Sequence, residues 1–347
     1  MQLSNIKYLF LCTFLCFPFL QSKAETNQKD TDQNSTTNYH PVVGGLIRSK
    51  YEMKTYDASN RFQVRNARIK VEGKFNKKVA YKLQYDFCEK GKMGFKDAYI
   101  QYLINSNWST KIGIQKVPFS TENLRSPTDY YFANRSFIAK QMSHDVRQVG
   151  MSLNYQNNTV ILPFSATFGV YNNNGVVNQE VWQKEMNFAG RLEIKPIKTL
   201  SISLSMNSVI PYAHRMNLYN CNISKTFGKW HLETEYIYKT YAKEIFNDTH
   251  AFLIFGSYDF ETPSIYWLQK ISPVARFDWM DNNSLLESAN NTFSIKDYER
   301  HRYTAGINFS LGEPFYADIR LNYEHYNSKD TSTDQENKIV LECVVKF

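Results

Sequence analysis

Val79-Ala80-Tyr81-Lys82-Leu83-Gln84-Tyr85-Asp86-Phe87 carries an apolar side chain at every odd position and a small, polar or charged one at every even position. Successive side chains of a strand point to opposite faces, so this stretch reads as a β-strand with one apolar and one wet face. The pattern recurs. Leu200, Ile202, Leu204 and Met206 alternate with Ser201, Ser203, Ser205 and Asn207. Phe315, Ala317, Ile319, Leu321 and Tyr323 alternate with Tyr316, Asp318, Arg320, Asn322 and Glu324. A soluble sandwich alternates in the same way, with its apolar face inside, so alternation alone defines an all-β chain and no more.

Three features separate a membrane barrel from a sandwich. Many alternating runs reach the roughly 9–11 residues that a tilted strand needs to cross a bilayer. Connection lengths also alternate. Short turns fall at Asn76-Lys77, Asn105 to Asn107, Asn157-Asn158, Pro196 to Thr199, Phe227-Gly228, Glu261 to Pro263 and Gly312 to Pro314. Between them lie longer or more polar connections: Lys54 to Asn60, Glu89 to Gly94, Pro118 to Asp145, Asn172 to Glu185, Pro211 to Arg215, Ala242 to Thr249, Asp281 to Glu299 and Ser328 to Asn337. Outer-membrane barrels have this asymmetry and an even strand number. The segments so divided predict a transmembrane antiparallel β-barrel of about 16 strands. Finally, Ile339, Leu341, Cys343, Val345 and Phe347 alternate with Val340, Glu342, Val344 and Lys346. A terminal aromatic on an alternating strand resembles the signal read by the barrel-assembly machinery, which makes Phe347 the expected assembly signal. Aromatics at strand ends (Trp108, Trp230, Tyr236, Tyr303 among them) suit an interfacial girdle in contact with outer-membrane lipid.

Composition agrees. The 347 residues are 42% hydrophobic and 15% aromatic, yet mean hydropathy is −0.49. That value excludes a bundle of membrane helices but not a barrel, whose strands show lipid only alternate residues. Lys7, the apolar run Tyr8 to Leu20 and Ser22-Lys23-Ala24 read as a secretory leader over residues 1–24, too short to span a bilayer. Without Lys7 and Lys23 the 41 basic residues become 39 against 33 acids, a net +6. Residues 25–41 read as a flexible polar tail and 42–347 as the barrel. Cys88, Cys221 and Cys343 are odd in number and widely spaced, giving neither a disulfide framework nor a zinc site. The seven histidines show no metal-ligand spacing, and there is no P-loop or dinucleotide motif. Basic residues are interleaved with acids, which argues against nucleic acid. No cofactor, metal or reaction is expected.

One region is more specific. Phe62-Gln63-Val64-Arg65-Asn66-Ala67-Arg68-Ile69-Lys70-Val71-Glu72-Gly73 leads into Tyr81 to Phe87, followed by Asp97-Ala98-Tyr99-Ile100 and Ile112-Gly113-Ile114-Gln115-Lys116-Val117-Pro118-Phe119-Ser120. Asn134-Arg135-Ser136 and Asp145-Val146-Arg147-Gln148-Val149-Gly150 come next. In order and spacing these motifs resemble the phosphate-selective porin O and P family over about residues 42–195. The resemblance implies a sixteen-stranded porin, usually a homotrimer, whose third outer loop folds into the lumen. Here that loop would be Pro118 to Asp145, the longest connection. It also implies passive diffusion of small hydrophilic solutes, with a lean toward anions such as phosphate. Arg125, Arg135 and Lys140 on the loop and Arg68 and Lys70 on the wall are the candidate constriction residues. The lumen face read from alternation is nevertheless mixed, with Arg68, Lys82, Arg276 and Arg302 set against Asp86, Asp97, Glu235 and Asp278. The loop cations therefore have a second possible role, pairing with acids to pin the loop to the wall. Rival readings are a plugged structural or adhesive barrel, a barrel lipase or protease, and a secreted sandwich.

Overall fold

Ile47, Leu83, Phe87, Ile112, Met151 and Leu341 are exposed, while Arg48, Asp86, Ser152 and Glu342 between or beside them are buried. One set of alternate residues thus faces outward as an apolar band and the other faces an enclosed interior. The backbone accounts for this in a computed structural model that describes residues 40–89, 91–143, 146–157, 161–211, 214–244, 246–286, 293–328 and 337–347. The expected leader, and all of the polar tail but His40 and Pro41, lie outside the described residues.

The strands are β1 (Val42–Lys54), β2 (Asn60–Lys74), β3 (Val79–Glu89), β4 (Lys92–Leu103), β5 (Trp108–Lys116), β6 (Arg147–Asn157), β7 (Phe164–Tyr171) and β8 (Asn187–Ile197). The second half comprises β9 (Leu200–Val209), β10 (Met216–Phe227), β11 (Trp230–Tyr241), β12 (Thr249–Tyr258, continued by Phe260–Glu261), β13 (Leu268–Met280), β14 (Arg300–Leu311), β15 (Ala317–Ser328) and β16 (Lys338–Lys346). Each pairs antiparallel with the next, and β16 returns to β1 from Leu46↔Lys346 to Lys54↔Lys338. The ring is closed, so no strand edge is left unpaired, which is what hydrocarbon demands of a spanning backbone. At the seam Phe347 and Gly45 exchange backbone hydrogen bonds of 3.1 and 2.8 Å. Gly45 is required there: a Cβ would sit 2.4 Å from the Phe347 ring and 2.7 Å from the Arg68 carbonyl oxygen. A small hairpin, Asn283–Leu286 with Phe293–Asp297, stands apart in the connection after β13.

The alternation of loop lengths holds with local departures. Glu89 to Gly94, read as a loop from its charges and glycines, is a tight turn: the ladder runs on to Glu89↔Lys92, with Gly91 at φ +85°. On the short-turn end the link from β12 to β13 is longer than Glu261 to Pro263, since β13 begins only at Leu268. A bulge between Arg48 and Ser49 in the β1–β2 ladder lets Arg65 lie beside Asn66, one residue out of alternation. No helix among the described residues is long and apolar enough to cross a membrane.

Candidate functional site

The connection from β5 to β6 is built to be swallowed rather than solvated. Its Phe119, Phe132, Phe137, Ile138 and Met142 are buried in one cluster with wall residues Leu218, Ile237, Leu253, Phe255 and Met280. The described part of this loop holds three short helical turns: Thr121–Leu124, Pro127–Asp129 and Ile138–Met142. Ser120 caps the first, its hydroxyl accepting from the Asn123 amide at 3.4 Å. Glu122 binds back within the loop, accepting from the Ser136 amide at 3.0 Å and from the Ser136 hydroxyl.

Polar wall residues satisfy the loop backbone. Thr121 N–H donates to Glu235 at 2.9 Å, Ala133 N–H to Asn322 at 2.7 Å and Phe137 N–H to Asp278 at 2.9 Å. Loop carbonyls accept from wall arginines: Ala133 from Arg48 at 2.6 Å, Asn134 from Arg276 at 3.1 Å, Arg135 from Arg302 at 2.8 Å and Thr128 from Arg320 at 2.9 Å. Two of these guanidinium groups also lie over loop rings, Arg276 at 4.4 Å from Phe132 and Arg302 at 4.7 Å from Phe137. The acids of this side are consumed too. Asp278 accepts from Arg302 and lies 3.1 Å from Arg276, and Glu342 accepts from Arg48 at 2.5 Å and Arg320 at 2.8 Å.

The five residues singled out from sequence fare differently. Arg125 is ion-paired with the buried Glu233 and lies 5.3 Å from the Tyr131 ring. Burial opposes its charge, but Glu233 and Glu122 together hold its pKa above the ordinary arginine value. Burial pushes the Tyr131 phenol up to about 12. Arg135 donates to Ala139 O at 2.7 Å, a bond within the loop. Lys140 is exposed at the end of the last turn. Arg68 donates to Asp86 at 2.8 Å and Lys70 pairs with Glu72. Arg125 thus pins the loop to the wall, although it and Arg135 also border a cavity, and Arg68 and Lys70 border open space as well.

That open space is on the other side of the interior. A cavity of about 610 Å³ is lined by Arg68, Lys70, Lys82, Lys111, Lys116 and Arg147, with Asp97 and Asp129 as its acids. Arg191 and Lys346 also line it, so basic groups outnumber acidic ones eight to two. Gly45 and Lys346 in its wall set it toward the short-turn end. A second cavity of about 440 Å³, reaching Glu89 and Val176 near the long-loop end, shares Arg68, Lys116, Pro127 and Arg147 with the first. Arg48, Arg65, Lys96, Arg125 and Arg135 line it, and Glu89 is its one acid among the described residues. Lys116 is held in the shared waist by Leu124 O and Arg125 O, both at 2.8 Å, and Arg147 by Asp97 at 2.8 Å. Lys116 and Arg147 stand in the motifs quoted above but not among the candidates. The signal was there, as adjacent strand ends flanking the loop, opposite one another in the β5–β6 register.

A closed sixteen-strand barrel with an apolar outer band and a charged, water-accessible interior defines an outer-membrane channel of the porin class. The family model of phosphate-selective porin O and P matches residues 47–207, the region that carries the motif resemblance. No curated protein matches the sequence significantly. Among solved structures, the chain is similar to the anion-selective porin from Comamonas acidovorans, at 14% identity and TM-score 0.61, covering 89% of this chain and 99% of that one. Salmonella typhi OmpF, in complex with daunomycin, aligns at 12% identity and TM-score 0.64 over 88% and 97% of the two chains. The trimer form of OmpT, an outer membrane protein of Vibrio cholerae, aligns at 11% and 0.61 over 89% and 99%. Identities this low speak for the fold.

Proposed function

We propose that this barrel is a passive pore favouring small anions, phosphate among them, that it works as a homotrimer exported with a cleaved leader, and that it catalyses no reaction. One observation carries the reading. Around the docked loop the interior acids are bound up with arginines and loop amides, whereas the open passage is lined by eight basic groups to two acidic ones, an excess that remains after Arg68 pairs with Asp86, Lys70 with Glu72 and Arg191 with Glu193. A sequence-level mixture of charge is thereby sorted into a neutralised seam and a positive channel. Such a channel concentrates anions and excludes cations over about one Debye length, about 10 Å at 0.1 M salt. The Comamonas acidovorans relative is described as anion-selective and the Vibrio cholerae relative as a trimer, which supports both parts. The selectivity is assigned to the shared waist, Arg68, Lys116 and Arg147, rather than to Arg125. The test is the reversal potential of the purified protein in a planar bilayer under a KCl gradient. Chloride preference in the wild type, turned toward potassium in Lys116→Glu/Arg147→Glu, is expected. A wild type that is indifferent or cation-preferring overturns the reading.

A further inference from the structure

We propose that the larger cavity binds hydroxylated anions, such as phosphorylated or carboxylated sugars, in preference to bare orthophosphate. The inference rests on the anion-favouring reading above and adds the chemistry of the rest of the solute.

A strip of inward residues crosses four strands. Lys111 of β5 faces Ser152 of β6, Asn154 of β6 faces Thr167 of β7, and Thr167 faces Arg191 of β8. All five line the same cavity, while Met151, Leu153 and Phe168 between them are exposed on the outer face. A neutral patch of hydroxyl and carboxamide groups is therefore flanked by a cation on each side. Its hydrogen bonding is directional. Thr167 donates its hydroxyl proton to Asn154 Oδ1 at 2.8 Å, and Ser152 donates its own to Gln115 Oε1 at 2.7 Å. With its proton committed to the wall, the half-buried Thr167 hydroxyl meets the cavity as an acceptor. The Asn154 NH₂ group remains a donor.

A site evolved for an inorganic oxyanion alone needs donors, because acceptor lone pairs turned toward phosphate oxygens repel them. A sugar hydroxyl both donates and accepts, and it matches a patch that offers both. The anionic group would take charge-assisted hydrogen bonds from Lys111 or Arg191, with the polyol laid across Ser152, Asn154 and Thr167. At about 610 Å³ the cavity falls within the roughly 300–1,000 Å³ typical of small-molecule sites, ample for a monosaccharide phosphate.

The experiment is block of single-channel current by orthophosphate, glucose 6-phosphate and glucose, each titrated into KCl. In the wild type glucose 6-phosphate is expected to block at a concentration lower than orthophosphate by on the order of tenfold, the yield of about two extra hydrogen bonds. Thr167→Val, and separately Asn154→Leu, should erase that advantage while leaving chloride preference and orthophosphate block unchanged. Lys111→Gln should weaken block by both phosphates. Equal block by the two phosphates in the wild type overturns the proposal, as does an advantage that survives both substitutions. A wild type without chloride preference overturns the pore reading itself, so the two failures are distinct.

Discussion

Removing the Arg125 side chain leaves Glu233, 1% exposed, with Asn222 at 3.2 Å and His231 at 3.4 Å as its remaining side-chain partners among the described residues. An uncompensated buried charge typically costs about 3–5 kcal/mol. Arg125→Ala is therefore expected to lower the thermal unfolding temperature of the barrel clearly, and Arg125→Ala/Glu233→Gln to recover most of the loss. In the double variant the reversal potential should stay where it was, because one positive and one negative charge are removed together. A large selectivity change in Arg125→Ala with unaltered stability would restore Arg125 to the constriction. Gly45 at the seam is constrained in a different way. A Cβ 2.7 Å from the Arg68 carbonyl must displace backbone rather than a mobile side chain. Gly45→Ala should cost about 1–3 kcal/mol of overpacking, read as a lower yield of folded barrel in refolding assays.

At the scale of the element, the β5–β6 loop is held by rings as much as by ion pairs. Phe132 is 4% exposed, with Arg276 stacked on one face and Phe255 edge-on at 5.7 Å. Phe132→Ala removes a buried aromatic worth about 3–5 kcal/mol from a segment with no strand partner of its own. Part of the loop should then leave the wall, giving larger and noisier single-channel conductance; steps of wild-type size would show that polar contacts alone suffice. The existence of this element was legible from length, since 28 structureless residues inside a barrel need a purpose. Its docking surface was not. Val209, Leu218, Ile237, Leu253 and Met280 point inward, where alternation predicts polar groups, because the loop keeps that wall dry. Phe252-Leu253-Ile254-Phe255 consequently reads as an unphased apolar run. Pro273, which lies mid-strand opposite Ile307, further blurs β13, since proline removes a ladder donor. The outer band and closure were readable because lipid imposes period two on every strand, whereas the loop's anchoring by wall arginines pairs residues such as Arg48 with Ala133 and Arg320 with Thr128, 85 and 192 positions apart.

For the whole molecule, net charge is a poor guide and its distribution is decisive, and two substitutions of identical charge separate the two ideas. Asp97 borders the open passage between Arg147 at 2.8 Å and Lys82 at 3.4 Å. Asp278 lies in the dry seam, 0% exposed, between Arg302 and Arg276 and under the Phe137 amide. Asp97→Asn strips the passage of one of its acids and frees two cations toward water. It should increase chloride preference, most at low ionic strength and much less at 1 M, where the Debye length falls to about 3 Å. Asp278→Asn removes the same unit of charge but takes the nearest acid from two buried guanidinium groups, leaving Arg276 with Glu122 at 4.0 Å and Arg302 with Glu324 at 3.7 Å. It should cost about 3–5 kcal/mol of stability and loosen the loop, with little change in ion preference at any salt concentration. Reversal potentials and unfolding temperatures measured on both variants check the assignment together. Equal shifts in ion preference would mean that the interior acts as one averaged field, and the separation into a neutralised seam and a positive channel would then be without functional consequence.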